Sequence, residues 1–187
     1  MGKVLAIVGM SSSGKGTVTD YLESKGYRKV YFGGMVYEEV EKRGLDIVLD
    51  ERNVREDMRK KEGPAVLAKR AATRAKEHFA DGANTVVFDG LYSWSELRYL
   101  EEEFGDDLIV AAILVPKKLR WQRGAERQDS HRKYTEQQVK MRDIEEIENL
   151  EKGGPIAYAD HYFSNVDTPE SLVEDVEAFM NDHQLKA

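Results

Sequence analysis

The stretch Gly9-Met10-Ser11-Ser12-Ser13-Gly14-Lys15-Gly16-Thr17 gathers what a protein uses to grip phosphate: bare backbone, hydroxyls and one ammonium. Unpaired backbone N–H groups at a helix start point outward, and the helix dipole adds positive potential there. Gly9 and Gly14 permit a tight turn and close backbone approach, and Lys15 would reach β- and γ-phosphates. Ser11, Ser12 and Ser13 offer hydroxyls to phosphate oxygens. The spacing departs from G-x-x-x-x-G-K-S/T at one point: Gly16 follows the lysine, and the hydroxyl arrives at Thr17. A Gly/Ser linker is the competing reading, but a linker is not followed at once by a lysine and an amphipathic helix.

A second chemical group is Asp89, in "VVFDG" at 86–90. The run before it is apolar, so the carboxylate ends a buried strand, where open α/β sheets bind ligands. There it could organise the water shell of a magnesium ion or accept a proton from an attacking hydroxyl. An Asp-Gly pair also favours hairpins, but "LYSWSEL" does not alternate like a returning strand. A third group is basic. Arg120, Arg123 and Arg127 recur at helical spacing, and 117–133 holds seven basic residues against two acidic ones. Such a face could stabilise the charge of phosphoryl transfer, or it could simply be solvated.

These groups need positioning. The segments 3–9, 28–32, 85–89, 108–115 and 161–165 read as strands, the apolar run at 3–9 as buried on both faces and that at 108–115 as central. Between them lie helical patterns: one from Val18 with Tyr21 and Leu22, one carrying Met35, Val36 and Val40, and charged helical stretches at 50–80 and 117–151. The 50–80 stretch breaks near Gly63-Pro64, and "GGP" at 153–155 is expected to stop the helix before it. Thr168-Pro169 marks a last helix start. Strands alternating with helices predict an α/β fold: a three-layer, five-stranded parallel sheet with helices on both faces. Residues 1–187 read as one domain carrying two charged helical insertions.

Composition agrees with a globular chain: 41% hydrophobic and 34% charged residues. A net charge of −7 argues against a nucleic-acid coat while leaving room for a local anion pocket. The absence of cysteine removes disulfides and thiolate metal sites. The apolar start lacks a cleavage pattern and no run reaches membrane-span length, so no membrane is expected and the cytoplasm is the expected compartment.

With these residues in view, the chain resembles the P-loop nucleoside monophosphate kinase superfamily, whose loops commonly read GKGT. It is similar over nearly its whole length to small, mainly archaeal proteins described as dephospho-CoA kinase-related or adenylate kinase-related. The resemblance implies ATP and Mg²⁺ as cofactors, a three-layer P-loop NTPase fold, and a small-molecule phosphate acceptor. It implies that Thr17 supports the phosphates and, with Asp89, holds magnesium in part through water. Residues 35–80 would bind the acceptor, and 120–150 would form a helical lid in which Arg120, Arg123 and Arg127 close over the transferring group. Ala159, Asp160 and Asn165 match A-D-x-x-x-x-N, a final strand lying beside the nucleotide base in that family.

The departures concern the acceptor. Gly33, Gly34 and Tyr37 stand where adenylate kinases often read G-D-x-x-R, and Tyr92 stands where relatives carry arginine. Arginine's bidentate fork has no equivalent in tyrosine. Arg55 and Arg59, one helical turn apart, are the expected compensation. The same departures motivate a second reading: a P-loop ATPase or nucleotide-dependent switch acting on a protein or nucleic acid. A nucleotide-binding pseudo-kinase is a third.

Overall fold

The computed structural model describes residues 2–126 and 134–187. Five strands form one sheet: β1 (Lys3–Val8), β2 (Arg28–Tyr31), β3 (Thr85–Asp89), β4 (Leu108–Leu114) and β5 (His161–Ser164). Their order is β2-β3-β1-β4-β5, and every pairing is parallel. The two longest central strands are aliphatic throughout because both of their faces are covered.

Strand periodicity divides the core. Val4, Ala6 and Val8 face a layer built from α2 (Phe32–Lys42), α4 (Val66–Ala80) and α5 (Trp94–Phe104). Leu5 and Ile7 face the opposite layer, α1 (Lys15–Ser24) and α9 (Pro169–Asp182). Fully burying a Val, Leu or Phe side chain contributes about 1.5–3 kcal/mol, and both layers are filled with such residues.

Three helices lie toward the edge of the site: α3 (Ile47–Glu62), α6 (Lys117–Glu126) and α7 (Glu136–Leu150). Asp46 caps α3, accepting from the Val48 and Leu49 amides at 2.8 and 2.9 Å. Ser93 with Glu96, and Thr135 with Gln138, form capping boxes that fix the starts of α5 and α7. Thr168 caps α9, with Pro169 at its first turn.

Two sequence expectations change. The charged helices read as an insertion on the core include part of the core itself: α4 lies against β2 and β3, with Leu67, Ala68, Ala71 and Ala75 fully buried. Its charges are confined to one face, which a composition average hides. The second difference is at "GGP". Helix α7 ends earlier, with Glu151 in the left-handed region at φ +51°, and residues Gly153–Ala157 form a separate short helix, α8.

Candidate active site

Helix α1 begins at Lys15, with Gly14 as its N-cap at φ +98°, a conformation that disfavours any side chain. A Cβ at Gly14 would also lie 2.4 Å from the Asn165 amide nitrogen, which donates to the Ser13 carbonyl at 2.9 Å. Asn165 is 7% exposed, so this end of β5 braces the loop backbone. Asn165, expected from the resemblance to lie beside the nucleotide base, is engaged through its amide with the loop. Ser12 takes φ +59°, a left-handed conformation that glycine adopts freely, at a cost of about 1–2 kcal/mol for a residue with a side chain. The Ser13 hydroxyl is buried without a partner among the described residues. Gly16 and Thr17 are exposed, and a Cβ at Gly16 would come no closer than 3.9 Å to Asp20. The space above Gly16 is therefore not taken by packing.

Gly14→Ala follows as a test. It is expected to destabilise the fold by about 1–3 kcal/mol, through strained φ and the clash with Asn165. It should also abolish nucleotide binding, as read by thermal unfolding and calorimetric titration.

Lys15 Nζ donates to the carbonyls of Gly9 and Met10, both at 2.9 Å, folding over the loop it would share with phosphate. Burial lowers its pKa to about 7, the nearby ammonium of Lys152 pushes the same way, and Glu146 and Asp89 oppose them. Asp89 sits in register with Ile7 of β1, one strand over from the loop. Its Oδ2 accepts from the Thr19 hydroxyl at 3.0 Å, and burial pushes its carboxyl above the usual range. Thr19 is fully buried on α1. It ties the loop helix to the carboxylate, a role that one threonine inside a helical pattern does not signal.

The acceptor-side residues gather around Asp89. Tyr31 and Tyr37 meet edge to face with ring centroids 6.1 Å apart, and Tyr31 covers Gly33 and Gly34. Tyr92 folds over Gly90, its ring 3.0 Å from where a Cβ would stand. Burial raises the pKa of both the Tyr31 and Tyr92 phenols, and the Asp89 charge adds to this. Of the two compensating arginines, Arg59 pairs at 2.8 Å with the fully buried Glu96. The same Glu96 accepts from the Tyr92 amide at 2.8 Å, so Arg59 supports the Tyr92 loop. Arg55 pairs with Glu51. Between α3 and α7 runs a cleft of about 670 Å³, lined by Arg52, Arg55, Arg59 and Arg142 among others.

The basic helix α6 holds the loop from outside. Arg120 is 7% exposed and donates to the Ser11 and Val115 carbonyls, each at 3.2 Å, and to Asp143 of α7 at 2.6 Å. Trp121 donates to the same Asp143 oxygen at 2.9 Å. Arg120 thus joins the loop to α7, and its side chain is buried, not solvated. Arg123 donates to the carbonyls of Asn165 and Asp167, at 2.8 and 3.2 Å. Arg127 lies outside the described residues. Sequence reasoning missed Thr19, Arg142, Glu146 and Lys152; Arg142 and Glu146 were hidden in a charged helical stretch, and Lys152 in the turn that follows it.

A strand ending in a glycine-rich turn, a helix start with a lysine, and an all-parallel sheet together define a P-loop domain. A family model described as AAA domain matches residues 8–140. A UPF0200 protein of Methanosarcina mazei is 31% identical over 150 residues, which cover 79% of this chain and 78% of that protein. A UPF0200/UPF0201 protein of Archaeoglobus fulgidus is 32% identical over 176 residues, 93% of this chain, and the chain spans 54% of its length. The chain belongs to the AAA-domain family and to the UPF0200 proteins. In solved structures the fold recurs in a shikimate kinase from Aquifex aeolicus, at TM-score 0.54 and 20% identity, covering 98% and 99% of the two chains. It recurs in a gluconokinase from Sinorhizobium meliloti at TM-score 0.58 and 16% identity, covering 97% and 92%. TT1252 from Thermus thermophilus gives TM-score 0.67 at 18% identity, covering 97% of each chain.

Proposed function

We propose that this protein is a kinase that transfers the γ-phosphoryl group of ATP, with Mg²⁺, to a small-molecule acceptor of the nucleotide or dephospho-CoA type. One observation carries the reading: the loop that carries Lys15 follows β1, whose Ile7 is in register with Asp89 at the end of β3, and Thr19 of the loop helix donates to Asp89 at 3.0 Å. The loop amides and Lys15 would hold the β- and γ-phosphates, with the Ser13 hydroxyl as a spare donor. Asp89 and Thr17 are hard oxygen donors that suit magnesium held by a carboxylate, water and substrate phosphates. Bound there, the ion would neutralise charge on the transferring group. An acceptor oxygen attacks Pγ as the bond from Pγ to the bridging oxygen breaks, and Asp89 takes the acceptor proton. Tyr31, Tyr37, Tyr92 and Gly34 would shape the acceptor surface, with Arg55 and Arg59 behind it. Arg123 and Arg127 would close over the transferring group; Arg120 would hold the loop and α7 in place for that closure.

An ADP-coupled assay across nucleoside monophosphates and dephospho-CoA tests the reading. Acceptor-stimulated ADP release is expected; release that no acceptor raises would overturn it. The pairing of Arg55 with Glu51 and of Arg59 with Glu96 favours a second reading, an ATPase or switch driven by a macromolecule. Mass spectrometry separates the two, since a phosphorylated small product removes the switch.

A further inference from the structure

Lys152 is the buried charge that the loop chemistry leaves unexplained. It lies in the turn after α7, with 2% of its surface exposed. Three features seat it there. Glu151 adopts the left-handed conformation, turning the chain inward. Glu146, one and a half turns earlier, takes the ammonium at 2.5 Å. Gly154 lets the short α8 close on Trp94, where a Cβ would come within 2.9 Å of the indole.

The ammonium carries three N–H donors. Among the described residues it hydrogen-bonds Glu146 alone, and it stands 5.0 Å from the centroid of the Tyr92 ring. Glu146 is not its private partner, because Arg142 also donates to that carboxylate at 3.1 Å. Lys15 is electrostatically coupled to the same group. Lys152 and Arg142 thus share Glu146, and Lys15 feels both of these cations together with the carboxylates of Glu146 and Asp89. Burying a charge is costly unless it is fully paired. An ammonium with spare donors beside a second lysine is favourable chiefly when a polyanion joins it. A lysine serving only to clamp the end of α7 could keep its head in water.

We propose that Lys152 is a ligand of the transferring phosphoryl group, held by Glu146 opposite Lys15 until the triphosphate arrives. The inference rests on the kinase reading and assigns a second cation to the same site. Lys15 reaches the phosphates from the loop; Lys152 reaches them from the Tyr92 side, where the acceptor would stand. Its contact is therefore with the γ-phosphoryl and not with the α- or β-phosphate.

Calorimetric titration of ADP and of a non-hydrolysable ATP analogue against wild type, Lys152→Met and Lys15→Met tests this. Lys152→Met should reduce the preference for triphosphate over diphosphate at least tenfold, with ADP affinity within about threefold of wild type. Lys15→Met should weaken both nucleotides. An unchanged triphosphate preference in Lys152→Met would make Lys152 a structural clamp and overturn the proposal. If the single variant fails to fold, Lys152→Met with Glu146→Gln removes the pair together and is read by the same ratio. A wild type that binds neither nucleotide would sink the kinase reading itself, and the inference with it.

Discussion

Lys15→Met weakens binding of a non-hydrolysable ATP analogue at least about 100-fold, roughly 2.7 kcal/mol, without lowering the melting temperature. The first half follows from placing the only loop ammonium where β- and γ-phosphates would lie. The second follows from its surroundings. In the ligand-free protein its pKa is lowered to about 7, first by burial and then by Lys152, against an ordinary 10.5. Between those two values the unfolded chain binds the proton and the native chain does not. Stability therefore rises with pH through that window, and the penalty of the buried charge is fully present below about pH 7. Methionine removes the penalty and keeps the volume.

The same depression makes nucleotide binding a proton-uptake reaction. Phosphate oxygens beside Lys15 favour the ammonium, so its pKa climbs in the complex. Above pH 7 the proton must come from solvent. Calorimetry at pH 8 in buffers of differing ionisation enthalpy should show uptake approaching one proton per nucleotide, and affinity should fall as pH rises from 7. Lys152, Glu146, Asp89 and Arg142 all act on this amine, so the uptake must vanish in Lys15→Met to be assigned to it. Uptake that survives in the variant would place the titrating group elsewhere.

Asp89→Asn is the second large effect: kcat for acceptor phosphorylation should fall about 10²–10⁴-fold, with nucleotide affinity in the absence of magnesium nearly unchanged. The amide oxygen can still accept from the Thr19 hydroxyl, so the geometry at 3.0 Å survives while the base is lost. Stability should move the other way. Burial holds the Asp89 carboxyl above its ordinary 3.8, so native protein loses stability as pH rises from that value through the raised one. Asparagine does not ionise, and Asp89→Asn should melt higher than wild type at neutral pH. A variant with full kcat would remove Asp89 from the chemistry, whatever its melting temperature.

Much of this site could be read along the chain because its logic is local. The glycine and lysine spacing of 9–17, the apolar run that must precede it, and the position of Asp89 at the end of a buried strand are facts about neighbouring residues. The three central strands were legible for the same reason: a strand buried on both faces is largely apolar, and that shows in a few consecutive letters. Ser12 and Ser13 could be noted in place of a glycine, yet only the backbone shows Ser12 taking the left-handed turn itself.

Long-range pairing decided the rest. Asn165 matched a strand-end pattern, but its work is to hold the Ser13 carbonyl, a contact across most of the chain. Arg120 sat on an arginine-rich helix face indistinguishable from its neighbours. Folding gave it Asp143 and the Ser11 carbonyl and took it out of solvent. Thr19, Glu146 and Lys152 carry no spacing signal, because nothing in a run of charged helical residues says which one the fold will bury. The amino-acid sequence by itself determined an α/β chain with a glycine- and lysine-bearing loop after its first strand and a carboxylate at the end of a buried strand. Tertiary structure alone determined which charges lose their water, since desolvation depends on what packs against a residue and not on what adjoins it in the chain.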